Sequence, residues 1–335
     1  MKIAVFSTQP YDQASLDQAN KHFNHEIVYH DTALSEKTAS LASGIPVVCV
    51  FVNDQVNANV IRTLAANGTQ LIALRCAGFN NVDLKAAEAA GITVCRVPAY
   101  SPNAISEYTL GLVICLERKI HKAWLRVRED NFALKGLVGN DLYGRTIGVV
   151  GTGNIGALVA RAFRAGLGCE VLAQDVVENP DLVSIGVKYV SRDELLRRAD
   201  VVCLHCPLTP DTQHLINADS LKTTRPGVVI VNSGRGSLVD SAALLDALES
   251  GHVGGAALDV YEKEKPLFFR DLSETVISDD VFQRLNTLPN VILTGHQAWL
   301  SHEALDSIAD ITMTNVAQFE KNGGQVEKSH IVRAS

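Results

Sequence analysis

Short unbroken apolar runs alternate along this chain with stretches whose apolar residues recur at helical spacing. Residues 3–7 form the first run and predict a strand, and residues 11–23 predict a polar helix. Further strand-like runs follow at 26–29, 45–51, 71–74 and 92–95, with helical patterns over 56–66 and 83–90. Runs this short, apolar at every position, suit strands covered on both faces. Their alternation with helices implies a parallel sheet. Pro98 and Pro102 interrupt the rhythm and mark a crossing between domains. Residues 103–128 then read as one long helix carrying Ile105, Leu110, Leu112, Val113, Leu116 and Ile120. The strand rhythm resumes at 146–150, 171–173, 200–204, 228–231, 254–258 and 291–294. An amphipathic helix over 301–320 offers Leu305, Ile308, Met313, Val316 and Phe319 to a core. The predicted class is α/β, built from two doubly wound parallel-sheet domains, and the length of 335 residues accommodates both.

One stretch of this pattern carries chemistry in its spacing. The run at 146–150 leads into Gly151, Gly153 and Gly156, and Ile155, Leu158, Val159, Ala162 and Phe163 continue at helical spacing to Gly166. In G-x-G-x-x-G the first glycine permits the tight turn and the second lets backbone approach a pyrophosphate. The third lets helix pack closely on strand, and the helix N-terminus attracts the anion. Asp175 stands at the end of the next strand, at the distance expected of an acid that accepts hydrogen bonds from a ribose. Its charge repels a 2′-phosphate, so the predicted cofactor is NAD rather than NADP. The first hundred residues have no such fingerprint and predict no second nucleotide site.

Composition narrows the picture by exclusion. A formal net charge of −7 with no long run of Lys or Arg argues against nucleic acid as a partner. No apolar segment approaches the ~20 residues needed to span a bilayer, and the N-terminus reads as a strand rather than a signal peptide. Seven cysteines, an odd number, lie mostly inside apolar runs, as buried thiols in a reducing cytoplasm do. Cys203, His205, Cys206 and His214 match no paired metal-ligand spacing, and no metal is expected. Around Cys76, a turn at Ala77, Gly78 and Phe79 whose N–H groups face an anion is a better reading than a nucleophilic thiol.

In an open α/β sheet, ligands gather outside the carboxyl ends of the strands. Three such ends carry polar residues here. Asn232-Ser-Gly-Arg-Gly236 places Arg235, whose planar fork suits a carboxylate. Residues 259–264 bring acids, and Thr294-Gly-His-Gln-Ala298 brings His296. Beside an NAD fold these make a coherent carbonyl reduction. Arg holds the substrate and polarises its carbonyl, while His protonates the new alkoxide, helped by a carboxylate that favours the imidazolium.

At this point the sequence resembles the NAD-dependent D-2-hydroxyacid dehydrogenases, most closely their fermentative D-lactate branch. The resemblance rests on Cys76-Ala-Gly-Phe-Asn-Asn-Val-Asp83, Val97-Pro-Ala-Tyr-Ser-Pro102, the glycine turn with Asp175, and His205-Cys-Pro-Leu-Thr209. Asn232 to Gly236, Ala257-Leu-Asp-Val-Tyr-Glu262, Pro266-Leu-Phe-Phe269 and Leu293 to Ala298 extend it over nearly the whole chain. It implies Arg235, Glu264 and His296 as the catalytic three, with pyruvate and D-lactate as substrate and product. It implies NAD contacts at Gly151, Gly153, Asn154, Ile155, Gly156, Asp175, Cys206, Pro207, Thr212, Asn232, Ser233, Gly234, Arg235, Asp259 and His296. Ala77, Gly78, Phe79, Tyr100, Arg235, His296 and Trp299 are implied to line the substrate site. The family is discontinuous in sequence: residues 1–100 and 300–335 correspond to its substrate domain and 101–299 to its NAD domain, with the active site in the cleft between. Its members use the helix after Pro102 in dimers, so a homo-oligomer, dimer or tetramer, is expected. Two departures are visible. Trp299 stands where a smaller aromatic is common, which bears on substrate size, and Asn103 to Glu107 replace smaller residues. The same fold and residues also admit two alternatives, a dehydrogenase for another 2-oxo acid and a non-catalytic NAD-sensing scaffold.

Overall fold

The structure is a computed structural model that describes residues 1–334. The chain divides into two compact units, residues 1–101 with 300–334, and residues 102–299.

The first unit is a five-stranded parallel sheet in the order β2-β1-β3-β4-β5. Its strands are β1 (Lys2–Val5), β2 (Glu26–Tyr29), β3 (Val47–Val50), β4 (Leu71–Leu74) and β5 (Thr93–Arg96). Helices α1 (Pro10–Asn20), α2 (Ala58–Ala66) and α3 (Leu84–Ala89) connect them. Side chains alternate across a strand, so Ile3, Val5, Val47, Cys49, Leu71 and Ala73 share one face. That face packs against Leu16 and Ala19 of α1 and against Ala309, Met313, Val316 and Phe319 of the C-terminal helix. The C-terminal helix, His302–Lys321, is capped by Ser301, whose hydroxyl accepts from the Ala304 amide.

The second unit holds seven parallel strands in the order β12-β11-β10-β9-β6-β7-β8. They are β6 (Thr146–Val150), β7 (Glu170–Gln174), β8 (Lys188–Tyr189), β9 (Val201–Leu204), β10 (Val228–Asn232), β11 (Val253–Leu258) and β12 (Val291–Leu293). Strand order reverses at β6, because β7 and β8 are added on one side and β9 to β12 on the other. Helix α4 (Pro102–Glu117) enters the unit and α5 (Ile120–Arg128) follows; α6 (Asn154–Arg161) opens directly after the glycine turn. Helices α7 (Pro180–Ser184), α8 (Arg192–Arg198), α9 (Ala218–Thr223), α10 (Ser241–Glu249) and α11 (Asp280–Thr287) complete the crossovers, and the C-terminal helix is α12. Val201, Cys203, Val229 and Val231 face the α4 side with Leu112, Val113 and Phe163. Their neighbours Val202, Leu204, Val228 and Ile230 face the other side with Leu195, Leu196, Leu244 and Leu248. Burial on both faces explains why these runs are apolar at every position.

Two expectations need correction. The helix predicted over 103–128 is broken after Glu117, and Lys119 takes a left-handed φ of +53°. A continuous helix would give the Glu117 carbonyl to the His121 amide. Here that carbonyl accepts from the Asn140 amide at 3.1 Å, and Asn140 Nδ2 also donates to Glu117 Oε2. Gly139 lies so close to the Glu117 carbonyl that any Cβ would collide with it. The break is imposed from residues more than twenty positions away. The helix predicted to run from Ile155 to Gly166 is α-helical only to Arg161. Residues Ala162–Gly166 widen into a π turn closed by Leu167 N–H donating to the Ala162 carbonyl.

Candidate active site

Register lines up the carboxyl ends of six strands in the second unit. Gln174, Val150, Leu204, Asn232, Leu258 and Leu293 are successive cross-strand partners. The next residue on each strand is therefore Asp175, Gly151, His205, Ser233, Asp259 or Thr294. At ~4.8 Å per strand this row runs roughly 24 Å along one edge of the sheet. The order reversal falls between β6 and β9, the switch point where doubly wound sheets bind ligands.

At the β6 end the glycines do what their spacing implies. Gly151 has φ +90°, and a Cβ there would press on Cys206 N at 2.5 Å. A Cβ on Gly156 would collide with the Gly151 carbonyl, so the helix packs against the turn as closely as backbone allows. In front of Gly153 a Cβ would meet nothing within 4 Å. This open face, at the uncapped N-terminus of α6 with Asn154 and Ile155 in its first turn, fits a pyrophosphate. Asp175 closes the far side. Its Oδ2 accepts from the Thr152 amide at 2.5 Å and from the Thr152 hydroxyl at 3.2 Å, while Oδ1 accepts from the Val176 amide at 2.6 Å. Burial works against the Asp175 charge, but these donors outweigh it and hold the carboxyl below its ordinary range. Thr152 and Tyr189, whose hydroxyl donates to Thr152 Oγ1 at 2.9 Å, were invisible in the sequence pattern, since β8 is only two residues long.

Cys203, His205, Cys206 and His214 do not converge. Cys203 is buried in β9, and burial pushes the Cys206 thiol up to about 11. His214 bonds Glu262. His205 sits behind the glycine turn with Nε2 shut from solvent and unbonded, and burial pushes it down to about 4. In the unfolded chain this imidazole titrates near 6.5. As pH falls below that value the unfolded chain gains a proton that the folded chain refuses, so stability is lost from ~6.5 down to about 4. Urea midpoints for His205→Gln are expected to fall less steeply over this interval than those of the unaltered protein. Parallel curves would show that other groups govern the acid limb.

Arg235, Glu264 and His296 arise from the ends of β10, β11 and β12. Arg235 is exposed in extended backbone, with Nη1 donating to the Gly234 carbonyl at 2.8 Å. Asn232 and Ser233 shape this loop from below. Asn232 Nδ2 donates to the Arg235 carbonyl and its Oδ1 accepts from the Gly234 amide, while Ser233 Oγ pairs with Thr109 of α4 at 2.8 Å. Glu264 Oε1 lies 3.0 Å from His296 Nδ1, and Glu264 Oε2 accepts from the Tyr261 amide. Since a carboxylate can only accept, Nδ1 carries the proton and Nε2 is left for other chemistry. Phe269 lies against the imidazole, ring centroids 5.7 Å apart.

His296 itself is strained, with φ +55°, and Asp259 holds it there. The fully buried Asp259 accepts from Thr294 Oγ1 at 2.6 Å and the Gln297 amide at 2.9 Å through Oδ1. Its Oδ2 accepts from the Ala298 amide at 2.9 Å, and its own carbonyl accepts from the His296 amide at 2.7 Å. Trp299 adds a further tie, its indole N–H donating to the His296 carbonyl at 2.9 Å. Asp259 and Trp299 thus build the turn that presents His296, a role the sequence pattern did not suggest for either. On the loop after β9, the Thr212 hydroxyl donates to the Pro207 carbonyl at 2.7 Å and closes the turn after Cys206.

In the first unit, the segment after β4 is fixed by buried polar groups. Arg75 is 2% exposed, donates to the Phe6 and Ser7 carbonyls, and lies over the Phe51 ring at 5.0 Å. Arg96 holds the next turn, donating to the Ala77 carbonyl at 2.9 Å and lying 5.2 Å from the Phe79 ring centroid. Cys76 donates its S–H to the Gly78 carbonyl. Tyr100 lies just beyond β5, in the segment that leads out of the unit.

Strand order, glycine cradle and the acid ending β7 define a dinucleotide-binding fold of the Rossmann type. Residues 110–298 match the family described as D-isomer specific 2-hydroxyacid dehydrogenase, NAD binding domain. The chain is 57% identical to 2-hydroxyacid dehydrogenase homolog 1 of Schizosaccharomyces pombe, covering 95% of this chain and 96% of that one. It is 47% identical to D-lactate dehydrogenase of Escherichia coli, covering 96% and 97%. The solved structure of the pyruvate reductase of Chlamydomonas reinhardtii superposes with a TM-score of 0.93 at 42% identity, covering 98% of each chain. The chain belongs to the D-isomer specific 2-hydroxyacid dehydrogenases, NAD-dependent oxidoreductases built from two parallel-sheet α/β domains.

Proposed function

We propose that this protein is a D-lactate dehydrogenase, converting pyruvate and NADH to D-lactate and NAD reversibly. The observation that carries the reading is the Glu264–His296 pair at 3.0 Å on a turn pinned by Asp259, two loops from an exposed Arg235. Relatives bearing the names D-lactate dehydrogenase and pyruvate reductase support the choice of acid. When bound, NADH supplies the hydride that adds to the carbonyl carbon. His296 Nε2 delivers the proton to the carbonyl oxygen, and Glu264 keeps Nδ1 occupied so that the ring stays aimed. Arg235 grips the substrate carboxylate and draws electron density from the carbonyl. Ala77, Gly78, Phe79 and Tyr100 are assigned to the remainder of the substrate site. Gly151 to Gly156, Asp175, Cys206, Pro207, Thr212 and the Asn232 to Arg235 loop are assigned to NAD. Following NADH oxidation with pyruvate, glyoxylate, oxaloacetate, 2-oxoisocaproate and phenylpyruvate tests the substrate. Pyruvate is expected to have the highest kcat/KM, and a clear lead for another acid would reassign it.

Trp299 is proposed to set the size limit. Its indole is 7% exposed and tethered to the His296 carbonyl, so it cannot swing aside cheaply. Trp299→Ala is expected to improve phenylpyruvate relative to pyruvate by ~1–3 kcal/mol in kcat/KM, the usual scale of pocket discrimination. An unaltered protein that already prefers phenylpyruvate would mean that the indole stacks on substrate instead.

The protein is further proposed to be a cytoplasmic homo-oligomer, a dimer or tetramer. Buried thiols at Cys49, Cys95, Cys169 and Cys203 support a reducing compartment. Among the described residues no helix is long and apolar enough to cross a membrane. Helix α5 and the segment after it expose Trp124, Leu125, Val127, Phe132, Leu134 and Val138, an apolar surface suited to a second copy. Light scattering after size exclusion should give a multiple of 36.1 kDa, reduced by Trp124→Glu. A monomer at micromolar concentration would contradict this.

A further inference from the structure

Two carboxylates stand two residues apart after β11, and each is paired with a histidine from a different loop. Glu264 takes His296; Glu262 Oε1 lies 2.6 Å from His214 Nε2, on the loop between β9 and α9. Because Glu262 can only accept, His214 donates from Nε2. The backbone around His214 is held in place for this contact. Its φ is +50°, a left-handed conformation costly for a residue with a Cβ. Its amide donates to the Ser237 carbonyl at 2.8 Å, and its carbonyl accepts from Asn217 Nδ2 at 2.8 Å. Glu262 Oε2 faces the Ser241 amide at 3.4 Å. The same short segment also carries the Arg235 loop, for Gly236 lies so close to the Tyr261 carbonyl that no Cβ would fit between them. Residues 259–264 are thus where the loops after β9, β10 and β12 meet.

We propose that His214 and Glu262 form a positioning pair that braces the Cys206 to His214 loop against the segment bearing Glu264, so that the cofactor side of the site is held in register with the catalytic side. Neither residue touches the reacting atoms in this reading. The loop has a second anchorage just beyond, where the Ile216 amide donates to the Leu238 carbonyl and the Asp240 amide to the Ile216 carbonyl. Loss of the pair therefore leaves these backbone bonds in place and removes the side-chain tie between the loop and the segment bearing Glu264. The inference rests on the assignment of Cys206, Pro207 and Thr212 to NAD, and not on the choice of pyruvate.

The test is direct NADH binding to the full chain, followed by protein-to-nicotinamide fluorescence transfer, with steady-state kinetics beside it. His214→Ala and Glu262→Ala are each expected to raise the NADH Kd about tenfold while kcat at saturating NADH stays within about threefold. The double variant should be no weaker than either single one, because both remove the same contact. Glu262→Gln keeps an acceptor oxygen and should restore Kd to within about twofold. If His214→Ala does not fold, His214→Phe keeps a ring, drops the donor and should show the same rise. Wild-type Kd in the variants, additive losses in the double variant, or a loss confined to kcat would each overturn the pairing. Failure of the unaltered protein to bind NADH would instead overturn the cofactor assignment on which it stands.

Discussion

His296→Ala is expected to lower kcat for pyruvate reduction by roughly 10²–10⁴, the usual contribution of a positioned acid, while the NADH Kd changes by less than about threefold. The split follows from where the side chain acts. The imidazole proton is needed only as negative charge develops on the carbonyl oxygen, so its loss is felt in the transition state and not in coenzyme binding. Its backbone is held separately, by the Asp259 carbonyl accepting from the His296 amide and by Trp299 on the His296 carbonyl, so truncation leaves the turn standing. Glu264→Gln should give a smaller loss. The amide can still meet Nδ1, but it no longer offers a charge opposite the imidazolium, which reduction consumes and oxidation forms, so kcat/KM should fall in both directions. Stopped-flow measurement of both directions checks this ordering. Near-normal turnover by His296→Ala would remove the residue from the mechanism.

The second large effect is expected in coenzyme choice. The unaltered protein should prefer NADH to NADPH in kcat/KM by well over about tenfold, a difference above 1.4 kcal/mol. Asp175→Ala should narrow that ratio, chiefly through weaker use of NADH. The carboxylate is pre-aimed by the Thr152 and Val176 amides, and Thr152 is steadied by the Tyr189 hydroxyl. Because the same donors hold Asp175 below the ordinary carboxylate range, its charge survives as pH is lowered through that range. The NADH preference should therefore persist into mild acid, and its early collapse would point to a different discriminating group. Equal use of both coenzymes at neutral pH would remove Asp175 from the recognition of the ribose.

Much of this was legible in the pattern of residues because both faces of each sheet are buried. Val201 to Leu204 and Val228 to Val231 have no polar position to blur them, and the glycine spacing has a steric cause that the structure reproduces at Gly151 and Gly156. What was hidden depends on contacts between distant residues. The break after Glu117 is caused by Gly139 and Asn140, and no residue inside the helix announces it. Asp259 accepts three hydrogen bonds from the turn that carries His296, a role that no local pattern announces. His214 matched no metal spacing, and its partner Glu262 lies forty-eight positions away. Periodicity reports burial, while polar partnerships across loops leave almost no local trace.

The central claim is best tested by one product measurement. The protein is incubated with limiting NADH and excess pyruvate, and the lactate formed is resolved by chiral chromatography against the NADH consumed. The account predicts D-lactate alone, one molecule for each NADH oxidised. L-lactate, or NADH that is bound but never consumed in the presence of pyruvate, would contradict it.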